Sequence, residues 1–291
     1  MSRAEALRDR IIDGVAEIGF AGHGLHVRVG SDTARHRWTP EVREDVQSAA
    51  KGVAVIAMGI AEREGILSAD EPVAPAFPGA ALGDGTDGVT LRHLLTMTSG
   101  VDFPWSPTTF QDHDDVAFEF LSRPTPGRRF QYASASTYVA MRALAARVGD
   151  VVAWLQPRLF DPLGIADARW ERCPRGFVLA GEGLLLTTDE LARVGALIAD
   201  RGTVDGERIV DAAWIDGMHG DWDPAYGEPA YDGYAMGGWK GPGDAWRLHG
   251  SGGQLVIFAG DAVVTLTADD HFRADRTARM IVDAAGAEQV I

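Results

Sequence analysis

Ser48-Ala49-Ala50-Lys51 sets a hydroxyl and an amine three residues apart. A serine in that position can act as an acyl-transfer nucleophile if the amine takes its proton. The lysine stands out by composition: of 27 basic residues in 291, only Lys51 and Lys240 are lysines and the rest are arginines. A buried ammonium can lose a proton near neutral pH and a guanidinium cannot. In a chain that uses arginine elsewhere, Lys51 is therefore a candidate proton carrier. The spacing is a short motif and gains force only from what accompanies it.

An activated serine also needs a way to hold its base, and donors for the oxyanion that forms on attack. Phe130-Gln131-Tyr132-Ala133-Ser134 follows the loop Pro124-Thr125-Pro126-Gly127 and precedes a helical pattern. Tyr132 thus belongs to a turn that can project into a cleft. Leu248-His249-Gly250-Ser251-Gly252-Gly253-Gln254 is a glycine-rich entry to a strand, whose amides could face the serine.

Other chemistries lack their signatures. There is no G-x-S-x-G elbow and no H-E-x-x-H zinc motif. Gly83-Asp84-Gly85-Thr86-Asp87-Gly88 has the form of a dinucleotide loop, but no strand precedes it and no long helix follows at once. His113-Asp114-Asp115 reads as a solvated helix start, and His93 as a packing or capping residue. The single cysteine, Cys173, excludes an internal disulfide and a multi-cysteine metal site. No cofactor and no metal are expected. A net charge of -15 and a pI near 4.9 argue against nucleic acid and against anionic membranes as partners. No stretch reaches 18 apolar residues, and Met1 to Phe20 intersperses charges among its apolar positions, so the expectation is a cytoplasmic protein. The sequence does not specify an oligomeric state.

The elements that must position these residues follow from periodicity and punctuation. Leu7 to Ile18 has a helical pattern; Gly24 to Gly30 and Ala34 to Trp38 form a hairpin around Ser31-Asp32. Ala49 to Arg63 is apolar nearly all round, which predicts a helix buried on every side and ended at Gly65. Ser48 lies at its start, at the positive end of the helix dipole, with Lys51 on the same face. Asp70 to Gly88 reads as a long ordered loop. Thr90 caps a helix from Leu91 to Thr98, and further helices are expected over 116–122, 136–148, 151–160 and 190–200. Leu255 to Ala259 and Val263 to Thr267 flank a Gly260-Asp261 turn as a second hairpin, followed by a helix from Arg273 to Ala284. The expected fold is α/β (α+β): an antiparallel sheet built from both chain ends and flanked by helices, with an inserted, mainly helical region. The sheet region is expected at 1–45 and 231–291, and the helical region, carrying the nucleophile, at 46–230.

Taken together and in this order, the three segments resemble the serine β-lactamase and penicillin-binding-protein superfamily, in its class C-like branch. The likeness extends to Leu91-Arg92-His93-Leu94-Leu95-Thr96-Met97-Thr98-Ser99-Gly100, to Leu159-Phe160-Asp161-Pro162-Leu163-Gly164-Ile165, and to the passage from Gly181-Glu182-Gly183-Leu184 to Ala192-Arg193. The Trp239 region with its Gly253-Gln254 ending is most similar to the branch holding 6-aminohexanoate-dimer hydrolase and family VIII esterases. The resemblance implies a β-lactamase/transpeptidase-like fold and a serine hydrolase working through an acyl-enzyme. Ser48 would attack the carbonyl, and Lys51 and Tyr132 would share the task of taking its proton. The amides of Ser48 and Ser251 would form the oxyanion hole. Ser134, His249, Gly250 and Trp239 would border the substrate, with Phe103, Trp105, Trp222 and Tyr226 as candidates for an apolar acyl pocket.

Two departures shape the expected substrate. The second motif reads Tyr-Ala-Ser, so Ser134 offers a hydroxyl where many β-lactamases of this branch have an amide. The third has no Lys-Thr-Gly, only His249-Gly250-Ser251, and Lys240 sits in a glycine-rich turn expected to face solvent. Without that cation the reading favours a small ester or amide over a β-lactam or a D-alanyl peptide. A β-lactamase or penicillin-binding peptidase is the enzymatic alternative, and a non-catalytic binding or sensing protein with this fold is the other.

Overall fold

The computed structural model describes residues 1–104, 106, 108–225 and 232–286. Helix α1 (Arg3–Ile18) starts four residues before the apolar periodicity does, because Ser2 and Glu5 cap each other's backbone amides. Gly19, at φ 70°, ends it. Its buried residues Leu7, Ile11 and Val15 repeat every four positions and lie on one face.

That face covers a sheet drawn from both ends of the chain. Strands β1 (Gly22–Val29) and β2 (Asp32–Arg37) form the first hairpin. The short strands β3 (Glu44–Asp45), β4 (Arg169–Trp170) and β5 (Leu184–Leu186) make a small separate sheet, and β6 (Thr203–Val204) pairs with β7 (Glu207–Arg208). Segments this short have no readable period, so the sequence did not announce them. The main sheet continues with β8 (Asp223–Pro224), β9 (Gly233–Tyr234), β10 (Trp239–Lys240), β11 (Trp246–His249), β12 (Leu255–Ala259) and β13 (Ala262–Ala268). Its order is β2-β1-β13-β12-β11-β10-β9-β8, antiparallel throughout.

Both faces of the sheet are covered, which is why β12 reads as a continuous apolar run and not as an alternation. Leu255 and Ile257 pack with Val264 and Leu266 against α1 and the closing helix α10 (Ala274–Gly286). Val256, Phe258 and Val263 face the opposite way, into the larger core.

The larger core is built on α2 (Ala50–Arg63), where every residue from Ala50 to Ala61 is buried. Around it lie α3 (Leu91–Leu95), α4 (Thr109–Asp112), α5 (Val116–Ser122), α6 (Ser134–Val148), α7 (Val151–Leu155), α8 (Thr188–Ala199) and α9 (Ala212–Asp216). Helix α3 is shorter than expected because Met97 turns to φ 57°. Thr90 does cap it, and His93 accepts the Thr90 amide through Nδ1. Helix α7 passes into a wider π turn at Gln156–Phe160, where Pro157 has no amide to continue the α pattern. Gly83 and Gly85 of the 83–88 loop serve packing: a Cβ on Gly83 would lie 2.3 Å from the Arg123 carbonyl carbon and one on Gly85 2.9 Å from the Thr125 carbonyl oxygen. Cys173 is buried and its sulfur lies 3.3 Å from the Tyr138 hydroxyl.

Candidate active site

Ser48 stands in a single 3-10 turn, Gln47–Ala49, that runs directly into α2. Its amide lies in the first turn, where backbone N–H groups have no acceptor within the helix. Gln47, just before it, is held at φ 50°, a strained value for a residue with a side chain. Asp45 holds it there. One carboxylate oxygen accepts the Gln47 amide at 2.8 Å and the other accepts the Gln47 side chain at 2.9 Å. The first oxygen also accepts the Gly183 amide at 2.8 Å. Burial raises the Asp45 carboxyl above its ordinary range, against the pull of these amides and of the Lys51 charge.

Lys51 is only 2% exposed. Its Nζ donates to Ser48 Oγ at 2.8 Å, to the Gly181 carbonyl at 2.9 Å and to Ser134 Oγ at 3.1 Å. An ammonium has three N–H donors and all three are used. A neutral amine has two and a lone pair, so the same cage also suits the form in which Ser48 donates to Nζ. Gly181 is required for the fit. A Cβ there would lie 2.9 Å from Ser134 Cβ and 3.1 Å from Lys51 Nζ.

Tyr132 meets the lysine through its ring: Nζ lies 5.1 Å from the ring centroid. The ring packs on Trp239 at 5.0 Å and on the buried Tyr234 at 5.7 Å, leaving the residue 36% exposed. Among the described residues, no hydrogen bond of the Tyr132 hydroxyl is found. Phe130 packs on the same Trp239 and Tyr234. Desolvation pushes the Tyr234 phenol well above its ordinary pKa.

The end of β11 closes the other side. Leu248 fills the notch at Gly52, coming within 2.5 Å of where a Cβ would stand. A Cβ on Gly250 would stand 2.5 Å from the Val46 carbonyl oxygen, and the Ser251 hydroxyl donates to the Gln47 side-chain oxygen at 3.3 Å. Residues 250–251 therefore lie along residues 46–47, next to the serine.

His249 precedes them as the last residue of β11. It alternates with Leu248 on β11 and shares a face with Arg247, which reaches Asp275 of α10 at 2.7 Å. Burial, with the Arg247 charge adding to it, pushes its pKa down to about 3. Trp239 of β10 pairs directly with Arg247, so it shares this face of the sheet with His249. Lys240 neighbours Trp239 on β10 and so faces away from the aromatic group around Tyr132; it is half-buried, where exposure was expected. Phe103 packs into the core against Phe120, and Trp222 packs at the core's margin. Trp105 and Tyr226 lie outside the described residues.

Sequence reasoning missed several groups here. Gly181, Asp45 and Gln47 hold the lysine and the turn, yet none carries a chemistry-bearing signature. Glu182, between the two glycines that bind Lys51 and Asp45, is raised above the usual carboxylate range by burial, with the Lys51 charge opposing. A cleft of about 600 Å³ opens beside Tyr132, its described lining including Thr98, Arg128, Phe130 and Asp223. Among the described residues, no group of three or more His, Cys, Asp and Glu side chains could hold a metal, and no helix is long and apolar enough to cross a membrane.

The family model described as Beta-lactamase matches residues 7–286. The chain is 25% identical over 218 residues to a 6-aminohexanoate-dimer hydrolase of Paenarthrobacter ureafaciens, a match covering 63% of this chain and 52% of that protein. The chain thus spans about half the length of this curated relative. Among solved structures, a penicillin-binding protein homolog from Caulobacter crescentus superposes with a TM-score of 0.79 at 18% identity, covering 99% of this chain and 98% of that one. A β-lactamase from Mycobacterium bovis gives 0.71 at 19% identity over 97% and 100%. At these identities the structural matches establish a shared fold.

Proposed function

The chain belongs to the beta-lactamase family, and on that premise we propose that it is a serine hydrolase that cleaves small esters or amides through an acyl-enzyme. The observation that carries this reading is the 2.8 Å contact between Lys51 Nζ and Ser48 Oγ, in a cage that suits both protonation states of the amine. Ser48 Oγ attacks the carbonyl carbon and its proton passes to Lys51. The oxyanion is met by the Ser48 amide, at the positive end of α2, and by the Ser251 amide. Lys51 then returns the proton to the departing alcohol or amine, with the Tyr132 hydroxyl relaying it at the mouth of the site. Water repeats the cycle on the acyl-enzyme and releases the acid.

Gly250 and Trp239 shape the walls of this site, and Ser134 holds the lysine. The relative named a 6-aminohexanoate-dimer hydrolase supports a hydrolase reading that includes amides. The departure of the third motif from Lys-Thr-Gly supports substrates other than β-lactams.

Intact-mass analysis after treatment with a fluorophosphonate and, separately, with a penicillin tests the proposal, with Ser48→Ala as control. A fluorophosphonate adduct on the wild type and none on Ser48→Ala is expected. No adduct with either reagent would sink the catalytic reading. A long-lived penicillin adduct would indicate a penicillin-binding protein instead, and rapid penicillin turnover a lactamase.

A further inference from the structure

We propose that Arg128 is a specificity determinant of this site, selecting substrates whose acyl chain ends in a carboxylate. The inference rests on the serine-hydrolase reading above and names the substrate class for it. Residues 128–132 approach the site as an extended segment, with Arg129 bridged to Ser99 through its backbone. Side chains two apart on such a segment share a face. Tyr132 and Phe130 both pack on Trp239, at 5.0 and 6.2 Å, and Arg128 reaches Asp223 of β8. The result is a wall that starts with Tyr132 at the lysine, continues as aromatic surface, and ends in a guanidinium roughly 13 Å along the segment from Tyr132.

That wall lines the cleft of about 600 Å³. Arg128 Nη2 donates to both oxygens of Asp223, at 2.7 and 2.9 Å. Its Nε and Nη1 have no hydrogen-bond partner among the described residues, and its side chain is 62% exposed against 17% for Asp223. Asp223 therefore orients the guanidinium while leaving one edge for a ligand. A carboxylate takes that edge with two N–H donors. Arg129 lines the same cleft and adds to its positive potential, in a chain whose net charge is -15. The cation absent from the third motif is replaced by one supplied from another segment, farther from the serine. Distance fixes the rest of the substrate: an apolar spacer must run along Tyr132 and Phe130 between the scissile carbonyl and the acid.

The test compares p-nitrophenyl hydrogen suberate, whose acyl chain ends in a carboxylate, with p-nitrophenyl octanoate, which has the same chain length and no charge. The readout is the ratio of their kcat/KM values. In the wild type the acid is favoured on the order of tenfold, as for one charge-assisted contact at a partly exposed site. The preference shrinks in 0.5 M NaCl because the pair is screened. Arg128→Gln brings the ratio close to one, chiefly through KM of the acid, and Arg128→Lys restores part of it. Asp223→Asn removes a competing charge and raises the ratio, and that rise is largely lost when Arg128→Gln is added, as a merely structural ion pair would not require. A wild-type ratio at or below one, or a ratio unchanged in Arg128→Gln, overturns the proposal while leaving the hydrolase reading intact. If neither ester turns over and no fluorophosphonate adduct forms at Ser48, the hydrolase reading fails and takes this one with it.

Discussion

Alanine at position 250 should damage catalysis far more than folding. Gly250 does not lie in the left-handed region, so an alanine is free to adopt its backbone conformation. Space is the obstacle. The new Cβ would stand 2.5 Å from the Val46 carbonyl oxygen and 2.5 Å from Gln254 Oε1, where ordinary contact begins at 3.4 Å. The Gln254 side chain is tethered by the Gly252 amide and the Ala268 carbonyl, so it gives way little. Relief therefore requires the 250–251 segment and the Val46–Ser48 turn to part by about 0.9 Å. Misplacement of a nucleophile by about 1 Å can cost on the order of 100-fold in rate. Overpacking of this kind costs about 1–3 kcal/mol of stability, which leaves an ordinary domain folded. The assay is kcat/KM for p-nitrophenyl acetate and the rate of fluorophosphonate labelling, beside a urea denaturation curve. Gly88→Ala is the control, since nothing lies within 4 Å of its Cβ position. Turnover of Gly250→Ala within twofold of wild type would refute the placement of this segment against the nucleophile, and so would a loss explained by unfolding at the assay temperature.

Two further expectations follow. Lys51→Met should lower kcat/KM by about 10²–10⁴, the worth of a positioned base, while the urea curve still shows a folded protein because an unbranched chain of similar size fills the same space. Residual activity above a tenth of wild type would contradict the base assignment. His249 has a folded pKa of about 3 against an ordinary value of 6.5. The unfolded chain therefore binds this proton first, so the contribution of His249 is complete above pH 6.5 and is lost progressively as pH falls toward 3. Urea midpoints between pH 7 and pH 4 should fall less steeply in His249→Gln than in wild type. His26, His93 and His219, also lowered by burial, keep a residual slope of the same sign. Equal slopes would mean that His249 is not buried as a neutral side chain.

Local signals carried the architecture well. The all-round apolar run after Ser48 predicted α2 because such a helix has no solvent face, and the Gly260-Asp261 turn predicted the β12–β13 hairpin because its flanks match in length and composition. Capping exchanges were harder to see, since Ser2 and Glu5 lie outside the apolar period. Strands of two residues, such as β3 and β8, were illegible, because their pairing is decided by neighbours distant in sequence.

For the site, sequence alone determined that a serine and a lysine share one helical face and that aromatic and glycine-rich segments exist to meet them. Spacing within one element is a local property, fixed by helix geometry. Only the tertiary structure decided which groups hold the lysine: a carbonyl from Gly181, 130 residues away, and a hydroxyl from Ser134. It also set His249 on the face of β11 that carries Arg247 and brought Arg128 across to Asp223, 95 residues distant. A backbone carbonyl carries no residue identity, and a strand's facing depends on register with partners elsewhere in the chain. Those are the quantities that a linear sequence does not display and that packing fixes.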